Sequence, residues 1–116
     1  MLSKPFRLRK KSEFNRVLKY GKTKNESQFS LKFLDNNLGI SRFGFLASKR
    51  LFPRAVQRNL IKRRFRETIR QLLDEIDKGK DIILIIKSGE KTNFLQRKES
   101  LTSLFKKANL IKEHYV

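Results

Sequence analysis

The chain has 116 residues, of which 29 are lysine or arginine and 11 are aspartate or glutamate, so its formal net charge is +18. This length and a hydrophobic content of 38% predict one domain, residues 1–116, with a modest core. The charge exceeds what solubility requires and favours nucleic acid over an anionic membrane as the partner, while the absence of cysteine excludes disulfides and thiolate zinc sites.

Other features of the sequence narrow the class of protein further. Residues 1–6 lack the apolar run of a secretory signal peptide, and the longest apolar run, residues 82–86, is too short to cross a bilayer. His114 is the only histidine, which leaves no catalytic or metal-binding histidine cluster. We therefore expect a cytoplasmic protein that binds neither a membrane, nor a metal, nor a small-molecule substrate.

The chain begins with a basic arm, residues 1–11, followed by a short predicted helix. Ser12 is suited to cap the start of this helix, and Gly21 is placed to terminate it. The inward face of the helix would consist of Phe14, Val17 and Leu18.

Two predicted strands follow. Residues 28–34 alternate between apolar and polar side chains, which predicts a half-buried strand with one face formed by Phe29, Leu31 and Phe33. Residues 35–39 have turn composition, and residues 42–48 form a second strand. Its apolar face would carry Phe43, Phe45 and Ala47, and its other face Arg42, Gly44, Leu46 and Ser48. The sheet therefore has one apolar face and one mixed, partly basic face.

The second half of the chain predicts a helix, a strand and a helix. Residues 54–77 form the long helix, with Pro53 near its start, and residues 82–86 read as a central strand covered on both faces. Asn93 and Gln96 form a possible capping box for a last helix, whose apolar positions are Leu101, Leu104, Phe105 and Ala108. The order α-β-β-α-β-α, with room for one more short strand between residues 35 and 48, predicts an α+β two-layer sandwich with helices packed on one main sheet.

The long helix separates apolar from basic side chains. At 100° per residue, its apolar stripe spans about 80° and consists of Ile61, Phe65, Ile69, Leu72 and Ile76. The adjoining arc spans about 100° and consists of Asn59, Lys62, Arg63, Arg66 and Arg70. We call this second set the basic arc. A solvated face normally pairs Glu with Lys four residues apart, yet Glu67 is the only acid between Lys49 and Arg70. The basic arc is thus interpreted as a docking surface for a polyanion.

The same helix carries a motif, A-V-x-R-N-x-x-K-R-x-x-R-E, that resembles the signature of the bacterial ribonuclease P protein subunit. Its residues are Ala55, Val56, Arg58, Asn59, Lys62, Arg63, Arg66 and Glu67, preceded by the basic pair Lys49 and Arg50. Leu60 stands where the family has the second arginine of an Arg-Asn-Arg core, so Arg63 or Arg64 would supply that charge. General rules favour a right-handed strand-helix-strand crossover. The resemblance implies the rare left-handed one, as in domain 2 of ribosomal protein S5.

The resemblance also implies a function. The family binds the catalytic RNA subunit of ribonuclease P and the 5′ leader of precursor tRNA, and it aids removal of the leader to generate the mature 5′ end. The implied RNA-binding residues are Lys49, Arg50, Arg54, Arg58, Asn59, Lys62, Arg63, Arg66 and Arg70. The implied leader-binding cleft, between the mixed sheet face and the first helix, consists of Phe14, Leu18, Ser30, Lys32 and Arg42. Leu18 replaces the family's second cleft aromatic.

No catalytic residue is predicted in the protein itself. Cutting a phosphodiester requires metal-holding carboxylates or an acid/base pair, and the acids of this chain are few and scattered. Asp74, Glu75 and Asp77 are expected to be solvated or paired with Lys78 and Lys80 rather than to bind a metal. In the family the RNA subunit performs the hydrolysis and holds the Mg²⁺, so we expect no cofactor on the protein alone.

Two other classes share some of these features. A small ribosomal or rRNA-binding structural protein would have the same charge and size without a leader cleft, and it would bind ribosomal particles stoichiometrically. A helix-turn-helix DNA-binding protein is disfavoured because the long basic helix lies between strands with no short helical partner before it. For Phe14, the alternative to a stacking role is an ordinary core position.

Overall fold

The computed structural model describes residues 4–26, 28–88 and 93–111. Over these residues a 3₁₀ turn at Lys4–Phe6 is followed by three α-helices and four strands. In chain order they are α1 (Lys11–Tyr20), β1 (Lys22–Asn25), β2 (Phe29–Asp35), β3 (Arg42–Ala47), α2 (Ala55–Leu72), β4 (Lys80–Ile86) and α3 (Phe94–Lys107).

The four strands form one mixed sheet in the order β1-β2-β4-β3. Strand β2 is antiparallel to both β1 and β4, whereas β3 and β4 are parallel and are joined by α2. The predicted central strand is confirmed, because β4 lies between β2 and β3. The predicted α+β fold with helices on one main sheet is confirmed as well, while the hand of the crossover stays a prediction.

The expected additional strand lies elsewhere in the chain. It is β1, before β2, and not a strand between residues 35 and 48. The sequence of β1 is Lys-Thr-Lys-Asn, all of it exposed, so it has no apolar alternation that could have revealed it. Backbone pairing with β2 defines this strand, from Lys22 opposite Phe33 to Asn25 opposite Ser30.

The main core lies between one face of the sheet and helices α2 and α3. The predicted apolar stripe of α2 is buried here, and its Phe65 ring meets the Phe29 ring of β2 edge to face, with 5.7 Å between centroids. Helix α3 contributes Leu101, Leu104 and Phe105, as predicted. Burying this stripe is what directs the adjoining basic arc of α2 away from the core.

Helix α1 packs on the opposite face of the sheet, so it adds a third layer to the predicted two-layer sandwich. Val17 of α1 is fully buried with Leu8 and Ile83, and Phe14 and Leu18 are partly buried beside them. The predicted inward face of α1 is therefore confirmed. Leu8 belongs to the basic arm, which runs along the edge of β3, where its backbone N–H donates to the Phe43 carbonyl at 2.9 Å.

Two predicted helix boundaries are wrong. Helix α1 is preceded by Lys10 rather than capped by Ser12, because the Lys10 backbone N–H donates to the Glu13 carboxylate at 3.0 Å. Helix α2 ends at Leu72 rather than near Asp77, since Ile76 forms an antiparallel bridge with Ile111 that a helix would prevent.

Two other predicted boundaries are confirmed. Gly21 follows the last residue of α1, and its backbone N–H donates to the Val17 carbonyl at 2.8 Å. The capping box of α3 is present, with Asn93 and Gln96 exchanging side-chain to backbone hydrogen bonds of 2.8 and 2.9 Å.

Candidate RNA-binding surfaces

The basic arc of α2 is accessible along its length. Asn59, Arg63 and Arg70 are exposed, and Lys62 and Arg66 are partly buried. The arc therefore presents its cations on one side of the molecule, as the sequence predicted. Such a concentration of like charge at neighbouring helical positions is unfavourable unless an external anion offsets it.

Arg66 links the basic arc to the edge of the sheet. Its guanidinium lies over the Phe45 ring of β3, 5.8 Å from the centroid. Burial, followed by the nearby charge of Arg7, lowers the pKa of Arg66. Arg7 lies near Arg66 because its backbone forms a bridge with Phe43, two residues before Phe45 on β3. The two cations Arg7 and Arg66 are therefore close enough for their charges to interact.

Arg7 is a cation near the basic arc that the sequence did not single out. The composition of residues 1–11 indicated only a basic arm, and nothing in it showed that the arm pairs with β3 beside α2. That placement depends on backbone pairing between Arg7 and Phe43, which are 36 positions apart in the sequence. Pairing over such a distance leaves no pattern in the local sequence.

The N-terminal end of α2 holds four of the predicted RNA-binding residues. Lys49 and Arg50 are exposed in the turn that joins β3 to α2, and Arg54 is exposed immediately before the helix. Arg58 is different, because its Nη1 donates to the carbonyls of Phe52 and Pro53 at 2.8 and 3.1 Å. Arg58 therefore holds the turn against α2 in addition to carrying charge.

Arg70 closes the other end of the basic arc with its charge partly offset. Its Nη2 lies 2.5 Å from the Glu67 carboxylate, and this guanidinium lowers the pKa of Glu67 to about 2. Arg63 is exposed within the arc, whereas Arg64 is partly buried. Burial of Arg97 on α3, and after it the nearby charge of Arg64, lowers the pKa of Arg97. The geometry thus favours Arg63 over Arg64 as the replacement for the family arginine at Leu60.

The predicted leader-binding residues meet on the α1 face of the sheet, but they are not equally available. Phe14 and Leu18 lie partly buried against this face. Lys32 donates from Nζ to the Leu18 carbonyl at 3.0 Å, and so joins β2 to α1. Ser30 is only 3% exposed and donates to the Asn25 side chain at 2.8 Å, which occupies its hydroxyl inside the sheet.

Arg42, the fifth predicted cleft residue, is paired with two carboxylates. Its Nε and Nη2 donate to Asp81 at 2.8 and 2.7 Å, and its Nη1 donates to Glu13. Because two negative charges already surround this guanidinium, it is poorly suited to attract an RNA phosphate.

The acids do not assemble into a catalytic or metal centre in the part of the chain that the structure describes. No group of three or more His, Cys, Asp or Glu side chains suited to a metal ion is present there. Lys80 pairs with Asp35 rather than with the acids after α2, which corrects one predicted pairing. No helix among the described residues is long and apolar enough to cross a membrane.

A sheet covered by helices on both faces, with a basic arc on its crossover helix, defines an α+β protein with a surface suited to a polyanion. The family model for Ribonuclease P matches residues 2–109. The ribonuclease P protein component of Finegoldia magna is 38% identical over 109 residues, which cover 93% of this chain and 95% of the relative. That of Bacillus cereus is 36% identical over 111 residues, covering 94% and 96%.

Solved structures agree with these sequence comparisons. The RNase P protein of Staphylococcus aureus superimposes with a TM-score of 0.81 at 32% identity, covering 94% of this chain and all of that one. The RNase P protein of Thermotoga maritima gives a TM-score of 0.78 at 32% identity, covering 87% and 96%. The chain belongs to the ribonuclease P protein family, as its motif predicted. It is the protein component of a holoenzyme that processes the 5′ end of tRNA, and the protein alone is not the catalyst.

Proposed function

We propose that this chain serves the ribonuclease P holoenzyme through two separate surfaces. The basic arc, with Arg58 and the cations before α2, binds the RNA subunit. The α1 face of the sheet receives the 5′ leader of precursor tRNA. The main support for two separate surfaces is that α2 packs on one face of the sheet and α1 on the other.

The first surface suits a folded RNA. Lysine and arginine at helical spacing contact successive phosphates, and Asn59 adds a hydrogen-bonding side chain for 2′-hydroxyls. Arg7 and Arg66 extend the same surface to the edge of β3. These contacts position the RNA without reading its sequence, which is what a subunit that supports an RNA catalyst requires.

The second surface suits a single strand. Single-stranded RNA binds along basic grooves in which aromatic rings stack on bases. Phe14 supplies the ring on α1, and Leu18 beside it supplies an apolar contact without the stacking energy of an aromatic ring. We propose Phe14 as the principal stacking residue for the leader.

The remaining parts of the proposal concern the metal and the cell compartment. The RNA subunit would hold the Mg²⁺ that hydrolysis requires, and the protein would act in the cytoplasm where precursor tRNA is made. The protein would bind the holoenzyme's RNA and its substrate, and no small molecule.

The direct test is reconstitution. Purified chain is added to a bacterial ribonuclease P RNA at low Mg²⁺, and the cleavage of precursor tRNA is measured. We expect the chain to accelerate cleavage, the Lys62→Ala/Arg63→Ala protein to do so poorly, and a Lys106→Ala protein, which lacks an exposed cation of α3, to match the wild type. Cleavage no faster than with RNA alone would contradict the proposal, and stoichiometric binding to ribosomal particles instead would favour a ribosomal role.

A further inference from the structure

A buried carboxylate lies near the start of the central strand β4. Asp81 of β4 is 2% exposed, and its oxygens accept two hydrogen bonds from Arg42 of β3 at 2.8 and 2.7 Å. Asn36 donates to the same carboxylate at 2.9 Å. Both oxygens therefore have charged or polar donors, which a buried carboxylate requires.

The same guanidinium reaches α1. Its Nη1 donates to one oxygen of Glu13, and the other oxygen of Glu13 accepts from the Lys10 backbone N–H at 3.0 Å. A single arginine thus connects β4, β3 and the first turn of α1. We call Glu13, Arg42 and Asp81 the clamp. A charge-assisted bidentate pair has a defined geometry, so the clamp restricts how α1 lies across the sheet.

Phe14 follows Glu13 directly, and its ring meets the strand that carries Arg42. Gly44 lies two residues beyond Arg42 and so on the same face of β3. A Cβ placed on Gly44 would lie only 2.5 Å from Cζ and 2.6 Å from Cε1 of Phe14. The far end of the Phe14 ring therefore occupies the space that any other residue at position 44 would fill.

We propose that Gly44 and Arg42 are positioning residues for leader recognition, Gly44 by seating the Phe14 ring and Arg42 by fixing α1 through the clamp. This inference rests on the proposed role of Phe14. It reassigns Arg42, which the family resemblance placed in the leader-binding cleft, from contacting the leader to holding the helix that contacts it.

The test uses holoenzyme reconstituted with a bacterial ribonuclease P RNA and measures the affinity for precursor tRNA relative to mature tRNA. Phe14→Ala should lower this ratio about fivefold or more, the factor expected when one base no longer stacks. Gly44→Ala displaces only the end of a flexible side chain, so it should fold and lower the ratio too. In the Phe14→Ala background Gly44→Ala should have no further effect, because both changes act on one ring.

Gly39→Ala is the matched control for the glycine. A Cβ at Gly39 would meet no atom within 4 Å, so the ratio should stay at the wild-type value. If Phe14→Ala leaves the ratio unchanged, the proposed role of Phe14 fails, and this inference falls with it. If Phe14→Ala lowers the ratio while Gly44→Ala does not, or if the two effects add, the seating of the ring by Gly44 is refuted and the role of Phe14 stands.

Glu13→Gln tests the clamp independently. The positioning role of Arg42 can therefore be tested even if Gly44→Ala does not fold. Removing this carboxylate loosens α1 but leaves Arg42 with less negative charge around it. A positioning role predicts a lower ratio, with the salt dependence of precursor binding unchanged. A direct phosphate contact by Arg42 predicts the opposite, a higher ratio, and that result would overturn the assignment. Circular dichroism melts establish that each variant is folded.

Discussion

The carboxylate of Glu13 both fixes the start of α1 and contributes to the stability of the folded protein. Burial acts to raise the pKa of Glu13, but the Lys10 and Arg9 backbone N–H groups and Arg42 together outweigh it, so the pKa lies below its ordinary value. A carboxyl whose pKa is lowered by folding stabilises the protein above its unfolded pKa, about 4.3, and this contribution disappears as the pH falls through the folded value.

The prediction at this site is a change in acid sensitivity. As the pH falls from neutral through the unfolded pKa of about 4.3 and then through the lower folded pKa, wild-type protein loses the contribution of the ionised Glu13, whereas Glu13→Gln has none to lose. The variant should therefore be less stable at neutral pH, but its melting temperature should fall less on acidification. Thermal melts over this range measure the difference. Parallel decreases in the two proteins would show that ionised Glu13 adds nothing to the folded state.

Single residues also show where sequence reasoning reaches its limit. The period of α2 correctly separated the buried Phe65 from the exposed Arg63, because helical geometry fixes which side chains share a face. Strand alternation placed Ser30 and Arg42 on the mixed face of the sheet, and the family resemblance implied that this face binds the leader. Their partners come from other elements, so the pairing depends on strand register and on the position of α1, and no local pattern encodes it.

At the scale of elements, amphipathic segments were predicted well and polar ones were not. Helix α2 and strand β4 have strong apolar patterns, and both lie where the sequence placed them. Strand β1 has none, because all its side chains face solvent and only backbone pairing with β2 defines it. The C-terminal end of α2 was missed for a related reason, since Ile76 continues the apolar stripe but pairs with Ile111 instead.

Element α2 also explains how stability and RNA binding share one helix. Its apolar stripe joins the sheet and α3, and its basic arc takes no part in that core. Two cations of α2 also take part in packing, because Arg58 bonds the preceding turn and Arg66 of the arc lies over the Phe45 ring. Substituting either would alter packing as well as charge, so Lys62 and Arg63 give a cleaner measure of RNA binding.

For the molecule as a whole, the formal charge of +18 opposes folding through self-repulsion. An anion that binds only the folded state stabilises it by RT ln(1 + [L]/Kd). We therefore expect pyrophosphate or short RNA to raise the melting temperature well beyond sodium chloride at matched ionic strength, because chloride only screens. Equal effects of the two salts would mean that the positive charge is diffuse and forms no localised phosphate-binding surface.

Of the two surfaces proposed on opposite sides of the sheet, the α2 surface is the central claim. It is tested most directly by the salt dependence of binding between the isolated chain and a ribonuclease P RNA. Removing one phosphate-binding cation, in Lys62→Ala or Arg63→Ala, should reduce the log–log slope by about 0.7 to 0.9, while Lys106→Ala on α3 should keep the wild-type slope. An unchanged slope in the two α2 variants, or an equal reduction in Lys106→Ala, would contradict the account.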